Sequence, residues 1–119
     1  MDSRELKERT KKFTIQVIKF VDGLKQSTAT FVLSKQIVRS ATSIGANYRA
    51  TCGARSNAEF IAKLQIVCEE SDETLYWLEL LQETVKQHEI EALIKECDEL
   101  TAIFTASLKT ARSKSTSNK

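Results

Sequence analysis

The sequence predicts an all-α protein, a single domain folded as an antiparallel up-down-up-down four-helix bundle. The 119 residues include no proline and only three glycines, whereas strands would need turn residues about every ten positions. Apolar residues recur at three- and four-residue steps in four long segments, which is the spacing of one helix face. With 41% hydrophobic and 29% charged residues, the composition favours a globular core over a disordered or a membrane-spanning chain.

The first helix is predicted from about Ser3 to Gly23, with Ser3 as its N-cap. Glycine tolerates the left-handed conformation that closes many helices, so Gly23 marks its end. Its apolar face consists of Leu6, Phe13, Val17, Phe20, Val21 and Leu24. Such a stripe predicts that the helix packs against the rest of a core.

The second helix is predicted from about Ala29 to Thr51, and Gly53 ends the segment. Small residues are dense between Ser40 and Ala46, and small side chains let another backbone approach closely. We therefore expect a tight helix crossing at this point. The apolar stripe consists of Ile37, Ala41, Ile44 and Tyr48.

The third helix is predicted to begin after Ser56 or Asn57 and to run to about Lys86. Either residue can cap the first free amides, and Glu59 completes a capping box with Ser56. Two series repeat every seven residues and predict a bundle seam. They are Phe60, Val67, Thr74 and Leu81, and Leu64, Ser71, Leu78 and Val85.

This third helix is apolar over a wider arc than one seam requires. Its further apolar residues include Ile61, Ile66, Trp77 and Leu80. A helix with a second apolar face must bury that face too. The partner is another helix of the same chain or a second subunit, and these four residues form our predicted oligomer interface.

The fourth helix is predicted from about Glu89 to Ala111, which makes residues 1–111 the bundle. Residues 112–119 have no apolar side chain and are expected to be a disordered basic tail. Short turns between long helices make sequential neighbours antiparallel.

Charge is distributed unevenly, although the formal net charge is only +2. No acidic residue lies between Asp22 and Glu59, whereas residues 59–99 are strongly acidic. Three interpretations remain open: a solvated surface, opposite charges that steer one subunit onto another, or binding to nucleic-acid phosphates. The candidate nucleic-acid-binding residues are Lys35, Arg39, Arg49, Arg55, Lys109, Arg112 and Lys114.

The residues favour a protein that is not an enzyme and uses no metal or other cofactor. The one histidine, His88, falls in a turn between helices, where we expect it to be exposed. Cys52, Cys68 and Cys97 form no CxxC pair and are interpreted as free buried thiols of the cytoplasm. No segment is apolar and long enough to span a membrane, and the charged first twelve residues do not fit a signal peptide.

Two motifs in the sequence resemble those of a known family. They are the SATSIGANYR run at residues 40–49 and the ARSNAEF run at residues 54–60. Together with the acidic and apolar run at residues 69–81, they resemble the bacterial four-helix proteins encoded by intervening sequences of large-subunit ribosomal RNA genes, the S23-type family. The accessory variability determinant of diversity-generating retroelements is similar to this group.

The resemblance implies a four-helix subunit that assembles into a homopentameric ring. For the retroelement relative it also implies binding of a reverse transcriptase and nucleic acid through a basic surface. Within the shared motifs, we expect Ser43 to bond Asn47 or a neighbouring helix end. We expect Arg49 and Arg55 to clamp Glu59, Glu69 or a phosphate. The primary hypothesis is a self-associating interaction protein, and the alternative is an accessory factor that binds nucleic acid with a reverse transcriptase or ribosomal RNA.

Overall fold

The computed structural model describes residues 1–117, with side chains as far as residue 115, and it confirms the predicted all-α fold. Four helices follow one another: α1 (Ser3–Asp22), α2 (Thr28–Cys52), α3 (Asn57–Val85) and α4 (Glu89–Ser117). Each packs against its neighbours in sequence, and α1 also packs against α4. The bundle measures 53 × 22 × 21 Å.

The helix starts follow from side-chain capping of free backbone amides. Ser27 Oγ accepts from the Thr30 amide at 3.1 Å, and Ser56 Oγ accepts from the Glu59 amide at the same distance. The prediction that Ser3 caps α1 was wrong, because Asp2 Oδ1 accepts from the Glu5 amide at 2.8 Å and Ser3 is already helical. A carboxylate at this position is also favoured by the helix dipole.

The ends of α1 and α2 do not use the left-handed glycine conformation on which the sequence prediction for Gly23 rested. Gly23 has φ −88° and Gly53 has φ −95°, so neither is left-handed. Each helix instead tightens at its end, with the Gly23 amide donating to the Phe20 carbonyl and the Gly53 amide to the Ala50 carbonyl. Lys86, which follows α3, is the one non-glycine residue at positive φ in the described chain, at 56°.

The core is built around α3. Most of the buried side chains of α3 belong to its two heptad series. Leu64, Val67, Leu78 and Leu81 are each at most 1% exposed. They pack with the stripes of the other helices, which include Phe13, Val17, Ile37, Ile44, Leu100 and Phe104. A fully buried side chain of this size contributes about 1.5–3 kcal/mol relative to an exposed one. This cluster therefore holds the four helices together.

Buried hydroxyl and thiol groups cross the α2–α3–α4 interfaces. Thr74 Oγ1 donates to Ser40 Oγ at 2.8 Å, which joins α3 to α2. On the other side of α3, Ser71 shares a hydrogen bond with Thr101, and Cys97 Sγ donates to the Ser71 carbonyl at 3.4 Å. A buried polar group without a partner is costly, so these bonds fix the register of the three helices.

The α1–α2 crossing is close, as the small residues of α2 predict. Thr14 Oγ1 lies 3.2 Å from the Ala41 carbonyl oxygen, so a side chain of α1 contacts the backbone of α2. At Gly45, an added Cβ would lie 3.6 Å from Thr10 Oγ1, which is ordinary contact distance. The crossing therefore requires small residues without requiring glycine at position 45.

A salt bridge connects α1 to α4. The Arg9 guanidinium donates to both Glu96 oxygens, at 2.7 and 2.6 Å, and to Glu99 at 2.9 Å. This contact replaces the Glu5–Arg9 pair that i,i+4 spacing suggests. The bidentate bond to Arg9 lowers the pKa of Glu96 below its usual value.

The fourth helix is longer than predicted. It continues six residues past Ala111, so residues 112–117 are helical and the expectation of disorder there was wrong. The helix continues through these residues despite their lack of apolar side chains, because adding a turn to an existing helix costs less than nucleating one. Residues 118 and 119 lie outside the described residues. Among residues 1–117, no helix combines the length and the apolar character that crossing a bilayer requires.

We predict that Glu96→Gln makes stability less sensitive to acid. Glu96 has a lowered pKa in the folded state, so its contribution is present above the unfolded value of about 4.3 and is lost as pH falls through the lower folded value. Urea unfolding at pH 7 and pH 3.5, at one protein concentration, should show a smaller pH difference for this variant than for the wild type. Asp98→Asn, at an exposed position on the same helix, should keep the wild-type difference, and equal pH dependence in all three proteins would contradict the prediction.

Candidate interaction surfaces

His88 and the paired acids of α3 are either exposed to solvent or engaged within the bundle. The His88 side chain is 92% exposed, with Nδ1 3.7 Å from a Glu91 oxygen. In the acidic run of α3, Glu70 and Glu73 both pair with Arg39. Within residues 1–117, no three His, Cys, Asp or Glu side chains are close enough to hold a metal ion together.

The three cysteines are free, and they differ in burial. Cys97 is buried, whereas Cys52 and Cys68 are only partly buried, so the prediction of three buried thiols was wrong for two of them. Burial raises the pKa of Cys97 to about 12 and also raises that of Cys68. Because the nucleophile is the thiolate, Cys97 is unreactive near neutral pH.

The solvent side of α3 exposes large apolar side chains. Ile66 is 42% exposed and Tyr76 is 55% exposed. Three other residues of the predicted interface, Ile61, Trp77 and Leu80, are partly buried. Tyr76 lies against Trp77, with ring centroids 5.2 Å apart. We call the surface formed by these five residues the α3 face.

A second apolar surface, which the sequence analysis missed, lies at the start of α2. Phe31 is 57% exposed and Val32 is 52% exposed. The Lys35 ammonium lies 5.3 Å from the centroid of the Phe31 ring. We call Phe31, Val32 and Lys35 the α2 face. It carries positive charge, whereas the α3 face is surrounded by the exposed acids Glu69, Asp72, Glu79 and Glu83.

Arg39 is occupied within the bundle. Its guanidinium pairs with Glu70 at 3.3 Å and also with Glu73. Glu73 Oε1 accepts a further hydrogen bond from Trp77 Nε1 at 3.2 Å. These contacts join α2 to α3 and hold Trp77 in place within the α3 face.

Five of the proposed nucleic-acid-binding residues lie near one end of the bundle, where α2 and α4 end and α3 begins. They are Arg49, Arg55, Lys109, Arg112 and Lys114. Arg112 donates to Gln65 Oε1 at 2.8 Å, and Lys114 lies in a shallow cleft with Asn57. The expected clamp on Glu59 or Glu69 is not formed in the described chain, since Glu59 pairs with Lys63 and Glu69 accepts from Gln65.

A basic groove runs along the surface between α1 and α2, and sequence analysis identified only one of its cations. It has a volume of about 570 Å³. Its charged rim is formed by Arg4, Lys7, Glu8, Lys11 and Arg49, and its floor by Thr10, Thr14, Thr42, Gly45 and Ala46. The i, i+3, i+7 spacing of Arg4, Lys7 and Lys11 was the available signal, because it places them on one side of α1.

Comparison with known proteins places this chain in a family. The 23S rRNA-intervening sequence protein family matches residues 3–106. The chain belongs to this family. A crystal structure of an S23 ribosomal protein family member from Bacteroides thetaiotaomicron, of unknown function, is 36% identical. The alignment covers 92% of this chain and 99% of that one, with a TM-score of 0.82. No curated protein matches the sequence.

The motif shared with this rRNA-intervening sequence protein family has a structural role in α2. Asn47 Nδ2 donates to the Ser43 carbonyl at 2.9 Å and to Ser43 Oγ at 2.8 Å, as the four-residue spacing predicts. Gly45 and Ala46, between these residues, form part of the groove floor. The motif therefore shapes the α2 wall of the basic groove.

We predict that Cys97 resists alkylation in the folded protein. At pH 8 a thiol with a pKa of about 12 is almost entirely protonated, and the side chain is buried. Iodoacetamide followed by tryptic mass spectrometry should leave Cys97 unmodified until urea unfolds the chain. Labelling of native Cys97 as fast as Cys52 would show that this part of the core is open.

Proposed function

We propose that this chain is a non-enzymatic subunit that associates with copies of itself into a closed ring, a homopentamer. The observation that supports the proposal most directly is the exposure of large apolar residues on α3 and at the start of α2, in the α3 face and the α2 face. Exposed apolar patches with polar surroundings are typical of interaction sites. A second copy of the chain is the partner that supplies both surfaces at once.

The charges favour contact between unlike faces. The α2 face carries Lys35 and belongs to a stretch without acidic residues, whereas the α3 face lies among four exposed acids. Opposite charges attract one face to the other and disfavour contact of either with itself. Such head-to-tail contacts generate a ring when the rotation between subunits closes. Five is the ring size that the family resemblance implies.

The interface must be larger than its most exposed residues. A stable interface buries about 800 Å² on each partner, and a ring subunit contributes two such areas, roughly a fifth of the 7479 Å² surface. Side chains that are already half-buried gain only part of the about 1.5–3 kcal/mol for full burial. Association must also offset roughly 4–15 kcal/mol of lost freedom. We therefore include the partly buried Ile61, Trp77 and Leu80 in the interface.

We also propose that the protein works in the cytoplasm. Three free thiols, two of them only partly buried, suit a reducing compartment. In an oxidising compartment, the two partly buried thiols would be open to disulfide formation between chains. In a reducing compartment the thiols stay free, and the subunits associate through apolar and charged contacts without disulfide bonds between chains.

We predict that Ile66→Glu breaks the assembly because it replaces an exposed apolar side chain of the α3 face with a negative charge, on a face that already lies among acids. Light scattering coupled to size exclusion should give about 67 kDa for the wild type, since five copies of 13.4 kDa have that mass, and 13.4 kDa for the variant. Ile15→Glu is a matched control, because Ile15 is also 42% exposed but lies on α1. It should leave the mass unchanged.

The orientation of the contact can be tested by mixing two variants. Phe31→Glu damages the α2 face and should also give monomers. An equimolar mixture with Ile66→Glu retains one intact pair of unlike faces and should give a heterodimer of about 27 kDa, twice the 13.4 kDa subunit. A monomeric wild type at micromolar concentration would contradict the proposal, and so would equal dissociation by Ile15→Glu.

A further inference from the structure

The basic groove between α1 and α2 has an excess of positive charge that the bundle does not neutralise. Its rim has four cations and one carboxylate, Glu8, whose oxygen lies 3.8 Å from Arg4 in an exposed pair. In the part of the chain that the structure describes, Lys7, Lys11 and Arg49 have no carboxylate within 4.0 Å. This contrasts with Arg9 and Arg39, each of which pairs with two carboxylates.

The absence of acids from the α2 wall maintains this charge. No Asp or Glu occurs from residue 23 to residue 58, so the wall opposite Lys7 and Lys11 supplies no carboxylate. Glu96 and Glu99, two acids of α4 that face α1, are bound by Arg9. The groove is therefore an electropositive concavity, in which potential is focused more strongly than on a flat surface.

The floor of the groove limits which ligand atoms can be recognised. The hydroxyls of Thr10, Thr14 and Thr42 donate to the backbone carbonyls of Lys7, Thr10 and Val38 at 2.9, 2.8 and 2.7 Å. Gly45 and Ala46 add no polar side chain to the floor. Recognition thus depends on the ammonium and guanidinium groups of the rim, which suit phosphate oxygens.

The shape of the groove favours an extended polyanion over a single compact one. Arg4, Lys7 and Lys11 extend over about 10 Å of α1 at 1.5 Å per residue, and Arg49 faces them from α2. Among the described residues that line the groove, none is aromatic, and proteins that bind the bases of single strands usually stack them on aromatic rings. Contacts to phosphate position a nucleic acid without reading its bases.

We propose that the basic groove binds the phosphate backbone of a nucleic acid without sequence preference. The groove involves neither the α2 face nor the α3 face, so this inference goes beyond self-association and does not require it. In a ring, the same groove would be repeated on every subunit. Repeated weak sites on one assembly bind one long polyanion more tightly than a single site does.

Fluorescence anisotropy with a labelled 20-nucleotide single-stranded RNA of mixed sequence tests the proposal in the full chain. Four phosphate contacts per groove predict a slope of about −3 in log K against log salt. The double variant Lys7→Glu/Lys11→Glu should weaken binding at least about tenfold at 100 mM KCl and should reduce the slope by about 1 per lost contact. A duplex DNA of equal length should respond to the variant in the same direction.

The control is Lys25→Glu/Lys95→Glu, which changes the net charge equally at two exposed positions outside the groove. It should weaken binding less than about threefold. Equal weakening by both double variants would overturn the proposal in favour of a diffuse charge effect. The proposal would also be wrong if neither RNA nor DNA bound at 50 mM KCl. Binding of heparin without binding of either nucleic acid would overturn it in the same way.

Light scattering on the same samples separates this proposal from self-association. Both double variants should keep the mass of the wild type. If Lys7→Glu/Lys11→Glu instead dissociated the assembly, the groove would be a subunit contact and the nucleic-acid proposal would be wrong. If Ile66→Glu gave monomers that still bound RNA through Lys7 and Lys11, both proposals would stand independently.

Discussion

The packing of α3 between α2 and α4 is the constraint on which the rest of the structure depends. Its two heptad series bury Leu64, Val67, Leu78 and Leu81 almost completely. Ser71 and Thr74 then fix its register against α4 and α2 through buried hydrogen bonds. Because neighbours occupy only these two sides, the apolar residues on its remaining side stay exposed or only partly buried. The exposed surface that we assign to assembly is thus a consequence of how the core is filled.

The same arrangement determines which charges are available to partners. Arg9 and Arg39 lie at helix–helix contacts, where facing carboxylates bind them. Lys7 and Lys11, on the adjacent side of α1, face a helix that has no acidic residue along its whole length. Basic residues on the same helices therefore have different roles, according to whether a carboxylate lies opposite them. Two arginines stabilise the bundle, while the groove cations remain available to an anionic partner.

Much of the fold could be predicted from the sequence, because helix periodicity and serine capping are local signals. The heptads of α3, the Ser56 cap and the Ser43–Asn47 bond are examples. The basic groove could not be predicted, since it joins residues of α1 and α2 that are at least 28 positions apart. The partners of Arg39 depend likewise on which helix lies opposite. The α2 face was missed because Phe31 and Val32 lie at the helix start, outside the apolar stripe.

Hydroxyl-radical footprinting of the wild-type protein at micromolar concentration tests the central claim, that a second copy covers the exposed apolar faces. In the isolated subunit, Tyr76 is 55% and Phe31 is 57% exposed. If subunits cover them, both residues should be oxidised several-fold more slowly in the wild type than in a dissociated variant, while the exposed His88 reacts equally in both. Oxidation of Tyr76 and Phe31 at the same rate in the two proteins would contradict the account.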